Sequence, residues 1–462
     1  MKKIIAVLMT VFVILPFIKP IPSKALNFSI KTPLSSESAM LINMNNKTVI
    51  HEKNPDTKQM PGQLVNIMVA VVILENCTNF NEELTIHESL YEDLYETQYA
   101  QDLRYIDVVE NDVLNVTDLL TAMMLTSSVE ATMTLVNRFG NGKTADFVKM
   151  MNDKAQELGM TSTHFTNPTG LYDENQYTTA RDMATLTMYA LTVPHFDEIS
   201  CPFEYNPTVP NLKTHENHAS WKWQHSNAML DPDSEFYYAG ARGIKTASLD
   251  VVGRNIVTMA SKDGSTYLAI LLKAPFNDAQ GNLMFFNFED AEYLFNWAFN
   301  HFSYQTVLAD TAELGEIPVE LAEGNDYVLA KPKNEVSILW YDEVDISTIN
   351  KSNIVWYYDK LNAPVNKGDV LGEVTLTYSG EVLTTVELVA VSDVNKSFLK
   401  YNAYAITMFP KSSWFKNAFM ISFLLCALYI IVCIYSWVVF KNKQKPIKPK
   451  YAVPKVNKKT KK

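Results

Sequence analysis

The chain contains one uninterrupted run of 23 uncharged, largely apolar residues, Ala418 to Phe440 (AFMISFLLCALYIIVCIYSWVVF). A helix needs about 20 apolar residues to cross the hydrocarbon core of a bilayer. A core helix of this length would normally carry a polar face, and this run has none. The run therefore predicts one transmembrane helix at 418–440, which separates a long body from a short tail.

The two ends of the chain predict the orientation of that helix. Residues 1–25 begin Met-Lys-Lys, continue with an apolar stretch and end Ser-Lys-Ala, which is typical of a secretory signal peptide. Residues 441–462 carry ten lysines, no acidic residue and several prolines, a composition that predicts a disordered tail. Because lysines directly after a span hold that end in the cytoplasm, we expect a single-pass protein of the cell membrane with its body outside and its tail cytoplasmic.

Charge and cysteine content narrow the possible partners. When the ten tail lysines and the four lysines of the leader are set aside, the formal net charge of −11 becomes about −25 for the external part. So acidic a surface argues against a nucleic-acid partner, and the expected partner of the span and tail is the cytoplasmic membrane.

Two of the four cysteines, Cys426 and Cys433, lie in the span. Whether the external pair, Cys77 and Cys201, forms a disulfide stays open.

The external part shows two different periodicities. Residues 26–302 mix a hairpin about Asn45-Asn46, one long helix VTDLLTAMMLTSSVEATMTLVNRFG, a second helix closed by Gly159, a further hairpin and a last helix. This order predicts an α+β fold, in which helices pack on an antiparallel sheet. Residues 303–410 instead show short alternating runs separated by turn residues, which predicts a small all-β, sandwich-like domain.

Four segments of the N-terminal part resemble the penicillin-binding D-alanyl-D-alanine carboxypeptidases, secreted serine peptidases that trim the terminal D-alanine from peptidoglycan stem peptides. The segments are LINMNNKTVIHEKN leading into PGQLVNIMVAVVILE, LLTAMMLTSSVEAT, MNDKAQELGMTSTHFTNPTGLYDENQYTTARDMATLTMYAL and GARGIKTASLDVVGRN. The β-rich segment containing LNAPVNKGDVLGEV resembles the family's C-terminal domain. The resemblance implies a β-lactamase/transpeptidase-like domain followed by a small all-β domain.

That resemblance also implies three clusters of residues that carry the chemistry. A Ser-x-x-Lys pair at a helix start supplies the nucleophile and its base, one turn apart on one helix face. In a Ser-x-Asn cluster the hydroxyl relays protons and the amide holds the substrate backbone. In a Lys-Thr-Gly strand the lysine and threonine bind the terminal carboxylate, and the glycine leaves room for the substrate.

In this chain the nucleophile position holds Gln63 and the base position holds Asn66. A carboxamide has no nucleophilic electron pair that could form an acyl-enzyme ester, and it is not a base at physiological pH. Two Ser-x-x-Lys strings, beginning at Ser397 and Ser413, occur only after the carboxypeptidase-like segment, so chance spacing explains them better. The fold is therefore expected to be kept and the hydrolytic chemistry lost, as in a pseudoenzyme.

The other two clusters are partly retained. The second keeps the hydroxyl of Ser127 and has Val129 where the amide belongs. The third keeps Lys245 and Thr246, but Ala247 adds a methyl group where the family has glycine. These three residues are the predicted substrate-binding positions, and neither cofactor nor metal is expected.

Two functions remain open at this point. The favoured one is a binding or scaffold protein at the cell wall, whose partner is a peptidoglycan stem peptide or a cell-wall protein. The alternative is a relocated serine carboxypeptidase with Ser127 or Ser128 as nucleophile and Lys245 as base. The same three residues also have a purely structural interpretation. In it, the hydroxyls of Ser127 and Ser128 form hydrogen bonds with the backbone at a helix end, and Lys245 pairs with a neighbouring acid.

One further cluster has weaker support. THENHASWKWQH brings His215, His218 and His225 together with Trp221 and Trp223. Three histidines could bind a metal ion, but no helical spacing places them on one face and no cysteine or well-spaced acid completes the set. A loop or hairpin with packed aromatic side chains is the favoured interpretation.

Overall fold

A computed structural model describes residues 28–208 and 222–443. The predicted signal peptide at 1–25, residues 444–462 of the predicted tail, and His215, His218 and Trp221 lie outside the described residues. The chain forms two compact units. The first runs to Gln305 and includes Leu339–Ile346, and the second comprises Thr306–Ile338 and the chain from Ser347 onwards.

The first unit is built on a five-stranded antiparallel sheet with the strand order β2-β1-β9-β8-β7. Nine strands occur within residues 28–208 and 222–301: β1 (Ser38–Asn43), β2 (Thr48–Lys53), β3 (Glu83–Thr85), β4 (Val113–Asn115), β5 (Glu204–Tyr205), β6 (Trp223–Gln224), β7 (Ala241–Leu249), β8 (Gly253–Lys262) and β9 (Ser265–Ala274). The hairpins predicted about Asn45-Asn46 and in the segment after residue 253 are confirmed as β1–β2 and β8–β9. Because β7 lies at one end of the sheet, one of its long edges is not paired with a strand of that sheet.

Helices cover this sheet. They are α1 (Val65–Asn76), α2 (Val116–Thr126), α3 (Val129–Phe139), α4 (Thr144–Glu157), α5 (Ala180–Ala190), α6 (Phe196–Ser200) and α7 (Phe286–His301). Helix α7 packs on β8 and β9, and α5 packs on β1 and β9. Helix α1 contacts α2 to α6 and buries ten of its twelve residues, as expected for a helix that is apolar on every side. It is the centre of the hydrophobic core.

One prediction is wrong in one respect: the structure has two helices, not one long helix, over VTDLLTAMMLTSSVEATMTLVNRFG. Helix α2 ends at Thr126, Ser127 takes a left-handed conformation with φ of 65°, and α3 begins at Val129. Ser128 caps α3 by accepting a hydrogen bond from the backbone N–H of Ala131. A residue at positive φ cannot continue an α-helix, and a serine N-cap starts a new one.

The β-rich part of the chain contains β10 (Phe302–Leu308), β11 (Gly315–Glu320), β12 (Tyr327–Pro332), β13 (Val336–Tyr341), β14 (Asn350–Trp356), β15 (Leu361–Asn362), β16 (Val370–Tyr378) and β17 (Glu381–Ala390). Six of these form one sheet in the order β14-β16-β17-β12-β11-β15. The predicted α+β fold followed by an all-β domain is thus confirmed. Residues at the end of the predicted all-β segment instead form helix α8 (Phe398–Met408).

The last described element is helix α9 (Ser413–Lys443), which contains the whole apolar run. It is long and apolar enough to cross a membrane, and none of its most apolar part is buried against protein. Helix α8 precedes it and is also exposed along its length. The second Ser-x-x-Lys string begins at Ser413 in α9, and the first begins at Ser397, which caps α8 by accepting a hydrogen bond from the Lys400 N–H.

Candidate functional site

The site lies where the start of α1, the α2–α3 break and the edge strand β7 meet. The chain enters α1 through a single 3-10 turn, Gly62–Leu64. Gly62 has a φ of 56°, and a Cβ atom there would lie 2.3 Å from the Leu249 side chain and 3.0 Å from the Ala247 methyl group. Only glycine adopts this conformation in so small a space. The turn therefore places the next side chain, that of Gln63, against β7.

The Gln63 side chain is 4% exposed and both of its polar atoms are hydrogen-bonded. Its Nε2 donates to the Asp102 carbonyl oxygen at 3.1 Å. Its Oε1 accepts from the backbone N–H of Ser248, on β7, at 3.3 Å. The carboxamide thus joins the segment before α2 to the edge of the sheet.

Asn66 lies one turn further along and is 1% exposed. Its Nδ2 donates to the Pro168 carbonyl oxygen at 3.3 Å, and its Oδ1 is buried without a hydrogen bond among the described residues. A buried acceptor without a donor is unfavourable by about 1–3 kcal/mol. Asn66 is therefore less well accommodated than Gln63, and it offers no group that could take up a proton.

The α2–α3 break presents one hydroxyl to the site and buries the other. Ser127 is half-buried at the end of α2, and its Oγ accepts a hydrogen bond from Lys245. Ser128 is fully buried, caps α3 and donates to Glu130 Oε2 at 2.6 Å. Val129 is 2% exposed and presents no polar atom. Of the two serines proposed as alternative nucleophiles, only Ser127 faces the pocket.

Lys245 is fully buried, and its ammonium group makes three hydrogen bonds. Its Nζ donates to the carbonyl oxygens of Met123 and Met124 at 3.0 and 2.8 Å, and it lies 2.6 Å from Ser127 Oγ. Burial lowers the pKa of Lys245 to about 7. Within the described part of the chain it has no carboxylate partner, so it caps the C-terminus of α2 rather than pairing with an acid.

The residues after Lys245 alternate across β7. Thr246 and Ser248 are half-buried on one face, whereas Ala247 is 4% exposed on the other, against Gly62. Thr246 Oγ1 lies 2.6 Å from Ser226 Oγ. The Ala247 methyl group, which a glycine would lack, therefore lies against the turn that precedes α1. The hydroxyls of Thr246 and Ser248 line the space in front of the strand.

These residues enclose a cavity of about 230 Å³. Its lining combines hydroxyls, two arginines, an asparagine and two aromatic rings: Gln63, Arg104, Thr126, Ser127, Ser226, Thr246, Ala247, Ser248, Arg254, Phe285, Asn287 and Phe288. A larger and more open hollow of about 600 Å³ lies at the ends of β2, β7 and β9. It contains none of the sequence-predicted site residues, so the smaller cavity is the candidate site.

Two arginines give this cavity a positive lining. Arg254 donates through Nε to the Met284 carbonyl oxygen, and its guanidinium lies 4.1 Å from the centroid of the Phe285 ring. Burial lowers its pKa, and among the described residues no carboxylate pairs with it. Arg104 is exposed and bonds only to backbone carbonyls near its own position. Asn287 Oδ1 is buried and has no hydrogen bond within the described part of the chain. The cavity therefore favours an anionic ligand that also carries an N–H group.

The histidine and cysteine candidates lie elsewhere. His225 is buried, its Nε2 lies 3.2 Å from the Ser200 carbonyl oxygen, and burial lowers its pKa to about 3. Trp223 stacks on Tyr205. Across residues 28–208 and 222–443, no group of three metal-ligating side chains occurs. Cys77 and Cys201, whose pairing the sequence left open, are both free thiols.

Sequence reasoning missed four lining residues of the cavity, Thr126, Phe285, Asn287 and Phe288, and five further residues of the site. These five are Asp102, Arg104, Ser226, Ser248 and Arg254. Ser248 and Arg254 are cross-strand partners in the β7–β8 hairpin, so a register for that hairpin would have identified both. Asp102 and Arg104 belong to an irregular segment without any periodic pattern, and no local signal points to them.

Two family profiles match the chain in succession. The profile of the D-alanyl-D-alanine carboxypeptidases matches residues 27–275, which is more than half of the chain. The profile of the penicillin-binding protein 5 C-terminal domain matches residues 302–396.

Individual relatives agree with these profiles. D-alanyl-D-alanine carboxypeptidase DacF of Bacillus subtilis is 22% identical over 362 residues, covering 78% of this chain and 86% of its own. DacA of Haemophilus influenzae is 24% identical over 389 residues, covering 82% and 90%. Among solved structures, penicillin binding protein 5 of Haemophilus influenzae has a TM-score of 0.55 at 21% identity, covering 80% of this chain and all of its own. DacD of Francisella tularensis has a TM-score of 0.57 at 20% identity, covering 80% and 95%.

Proposed function

Because the chain belongs to the D-alanyl-D-alanine carboxypeptidase family, we propose that it is a membrane-anchored, non-hydrolysing member that binds a carboxylate-terminated peptide of the cell wall. One observation carries the proposal. The residue at the family's nucleophile position, Gln63, is a buried carboxamide whose two polar atoms are both engaged in hydrogen bonds.

The loss of hydrolysis follows from two chemical groups. Acyl transfer needs a nucleophile that can be deprotonated and a base within reach of its proton. Gln63 provides no such nucleophile, and Asn66 provides no base. In a serine hydrolase the loss of the nucleophile alone lowers turnover by about 10⁶. The family's reaction is therefore expected to be undetectable.

The retained groups support binding. A peptide carboxylate in the 230 Å³ cavity would meet the guanidinium of Arg254 and the hydroxyls of Thr246 and Ser226. Arg254 makes no ion pair among the described residues, so a ligand's carboxylate would complete its hydrogen bonding rather than displace an acid. A stem peptide ending in D-alanine has this chemistry. A cell-wall protein with an exposed C-terminus is the other candidate partner.

Membrane anchoring is supported by the last two helices. Helix α9 has the length and composition of a span. Helix α8 exposes large apolar side chains, such as Phe398 at 77% and Leu399 at 79%, directly before it. Apolar helices of this kind lie in the headgroup region of a bilayer. The lysines that follow the span in the sequence support an orientation with the body outside and the tail in the cytoplasm.

The test of function uses the full-length protein in detergent micelles. It is incubated with a fluorescent penicillin and with a pentapeptide ending in D-Ala-D-Ala, and adduct, released D-alanine and peptide binding are measured. We expect no adduct and no D-alanine, but saturable binding that Arg254→Gln weakens by tenfold or more. Arg138→Gln, which removes an exposed arginine paired with Glu82, should leave binding unchanged. Release of D-alanine by the wild type would overturn the proposal.

The anchoring is tested separately in cells. A protease added to intact protoplasts should digest the body and spare an epitope attached to the C-terminus. Removal of residues 413–462 should release the protein into the medium. Retention of the truncated chain on the membrane would show that α9 is not the anchor.

A second function is favoured by one contact. Ser127 Oγ lies 2.6 Å from Lys245 Nζ, and because the pKa of that lysine is lowered to about 7, a neutral amine is accessible near physiological pH. Such a pair can act as nucleophile and base. This relocated hydrolase predicts a penicillin adduct on Ser127 that Ser127→Ala abolishes, whereas the binding function predicts no adduct in either protein.

A further inference from the structure

The Gln63 side chain separates two spaces within the site. On one side is the 230 Å³ cavity. On the other is a narrow cleft, too small for a water molecule, that is lined by Asp102, Leu103, Val129 and Thr132 among others. Gln63, Arg104 and Ser127 line both spaces. Because these three residues form the border between the cavity and the cleft, displacement of the buried Gln63 side chain would open space at that border.

The hydrogen bonds of Gln63 have the pattern of a bound peptide group. Its carbonyl oxygen accepts from a backbone N–H of the edge strand β7, that of Ser248, and its nitrogen donates to the backbone carbonyl of Asp102. An extended peptide that joins a sheet edge uses the same two kinds of bond, accepting from strand N–H groups and donating to carbonyls. The side chain thus occupies, with its own amide, a place that suits a ligand's amide.

A second polar group belongs to a residue that lines the narrow cleft. The Asp102 carboxylate is 3% exposed, and its Oδ2 has no hydrogen bond among the described residues. Burial raises its pKa. When the Gln63 side chain leaves, an N–H group of the incoming ligand can reach this oxygen. The cleft therefore offers the ligand a partner that Gln63 itself does not use.

We propose that Gln63 is an internal plug, whose carboxamide occupies the amide-binding position of the pocket and must be displaced by a peptide ligand. This inference rests on the proposed binding function and adds its regulation. The plug weakens the affinity for every peptide, because the two hydrogen bonds of the Gln63 side chain must be broken before the peptide binds. It favours ligands whose own amide group forms these two hydrogen bonds in place of Gln63.

The test compares three full-length proteins in detergent micelles: wild type, Gln63→Ala and Gln63→Leu. Each is titrated with an N-acetylated peptide ending in D-Ala-D-Ala. Gln63→Ala removes the plug and is expected to bind about tenfold more tightly, which corresponds to the net value of one to two neutral hydrogen bonds. Gln63→Leu keeps the volume without the amide, so it blocks the space and should not gain affinity.

Small amides provide a second readout. Acetamide at high millimolar concentration should rebuild the plug in Gln63→Ala and return its peptide affinity towards the wild-type value, while leaving the wild type unaffected. Hydrogen exchange of the Ser248 amide should be faster in Gln63→Ala than in the wild type, and acetamide or peptide should slow it again. Thermal unfolding of each variant verifies that it is folded.

The outcomes separate the two proposals. Equal peptide affinity of the wild type and folded Gln63→Ala overturns the plug and leaves the binding function intact. A gain of affinity in Gln63→Leu as large as that in Gln63→Ala also overturns it, because the amide would then have no special part. Absence of binding in all three folded proteins overturns the binding function, and the plug with it.

Discussion

The two walls of the pocket differ in how many of the residues implied by the family resemblance they contain. At the N-terminal end of α1, the positions that the resemblance assigns to the nucleophile and the base hold carboxamides, Gln63 and Asn66. Both carboxamides are buried. On the opposite wall, Lys245 and Ser127 keep the family's cation and hydroxyl at a distance of 2.6 Å. The first wall has neither group of the implied acylating pair, whereas the second has a cation and a hydroxyl but carries Val129 and Ala247 where the resemblance implies an amide and a glycine.

This difference shows that retention of a residue has more than one physical reason. Lys245 holds the carbonyl oxygens of Met123 and Met124 as well as Ser127, so it stabilises the end of α2 whether or not a ligand binds. The serine and lysine of an acylating pair have no such structural duty at the start of a buried helix. Under the proposed loss of hydrolysis, Lys245 and Ser127 therefore keep a structural reason to remain.

The strongest test restores the altered wall. Gln63→Ser with Asn66→Lys, Val129→Asn and Ala247→Gly reinstates all three clusters, and we expect it to turn an unlabelled protein into one that a fluorescent penicillin labels. The labelling rate should rise by up to about 10⁶, the factor by which loss of the nucleophile lowers turnover in a serine hydrolase. Gln63→Ser alone should stay unlabelled because no base is present. Labelling of the single variant at the rate of the fourfold variant would contradict this account.

The next test removes the retained cation. Lys245→Met removes the Lys245 donor from the Met124 carbonyl oxygen and one of two donors from the Met123 carbonyl oxygen, to which the Ser127 N–H still donates, so the free energy of unfolding should fall by about 1–3 kcal/mol. Lys53→Met is the matched control, because Lys53 Nζ also donates to two carbonyl oxygens, those of Leu34 and Ser36, but is partly exposed and distant from the cavity. Denaturant unfolding measures both. An equal loss in the two variants would show that Lys245 has no special structural role.

A third test uses pH to follow the same lysine. Its pKa is about 7 in the folded chain and 10.5 ordinarily, so between these values the unfolded chain binds more protons. The free energy of unfolding should therefore rise with pH above about 7, by at most about 1.4 kcal/mol per pH unit, or about 2 kcal/mol from pH 7 to 8.5. The measured quantity is the difference between the wild type and Lys245→Met. A flat difference would mean that the buried lysine stays fully protonated.

The smallest effects separate the two carboxamides from one another. Gln63→Leu leaves the Ser248 N–H and the Asp102 carbonyl without partners and should destabilise the protein by about 1–2 kcal/mol. Asn66→Leu loses one long hydrogen bond but also removes a buried, unbonded oxygen, so it should stay within about 1 kcal/mol of the wild type. Thermal unfolding compares them. A larger loss for Asn66→Leu would reverse the ranking of the two sites.

Much of the fold was predictable because its signals are local. The hairpin about Asn45-Asn46 carries its turn residues, and the helix closed by Gly159 carries a helical period and its terminating glycine, all within a few positions. The break between α2 and α3 was missed because two serines inside an otherwise helical pattern are compatible with one helix or two. The left-handed Ser127 depends on contacts with Lys245, 118 residues away.

The sequence by itself determined that carboxamides stand at the two positions that the family resemblance assigns to the nucleophile and the base, because the identity of a side chain is a covalent fact that no fold can change. It also determined the apolar run of the final helix. Only the tertiary structure decided what the replacing groups do. Gln63 reaches Asp102 and Ser248, 39 and 185 residues away, and Lys245 reaches carbonyls rather than an acid. Hydrogen-bond partners are set by distances of a few ångströms across packed elements, and no local pattern in the chain encodes those distances.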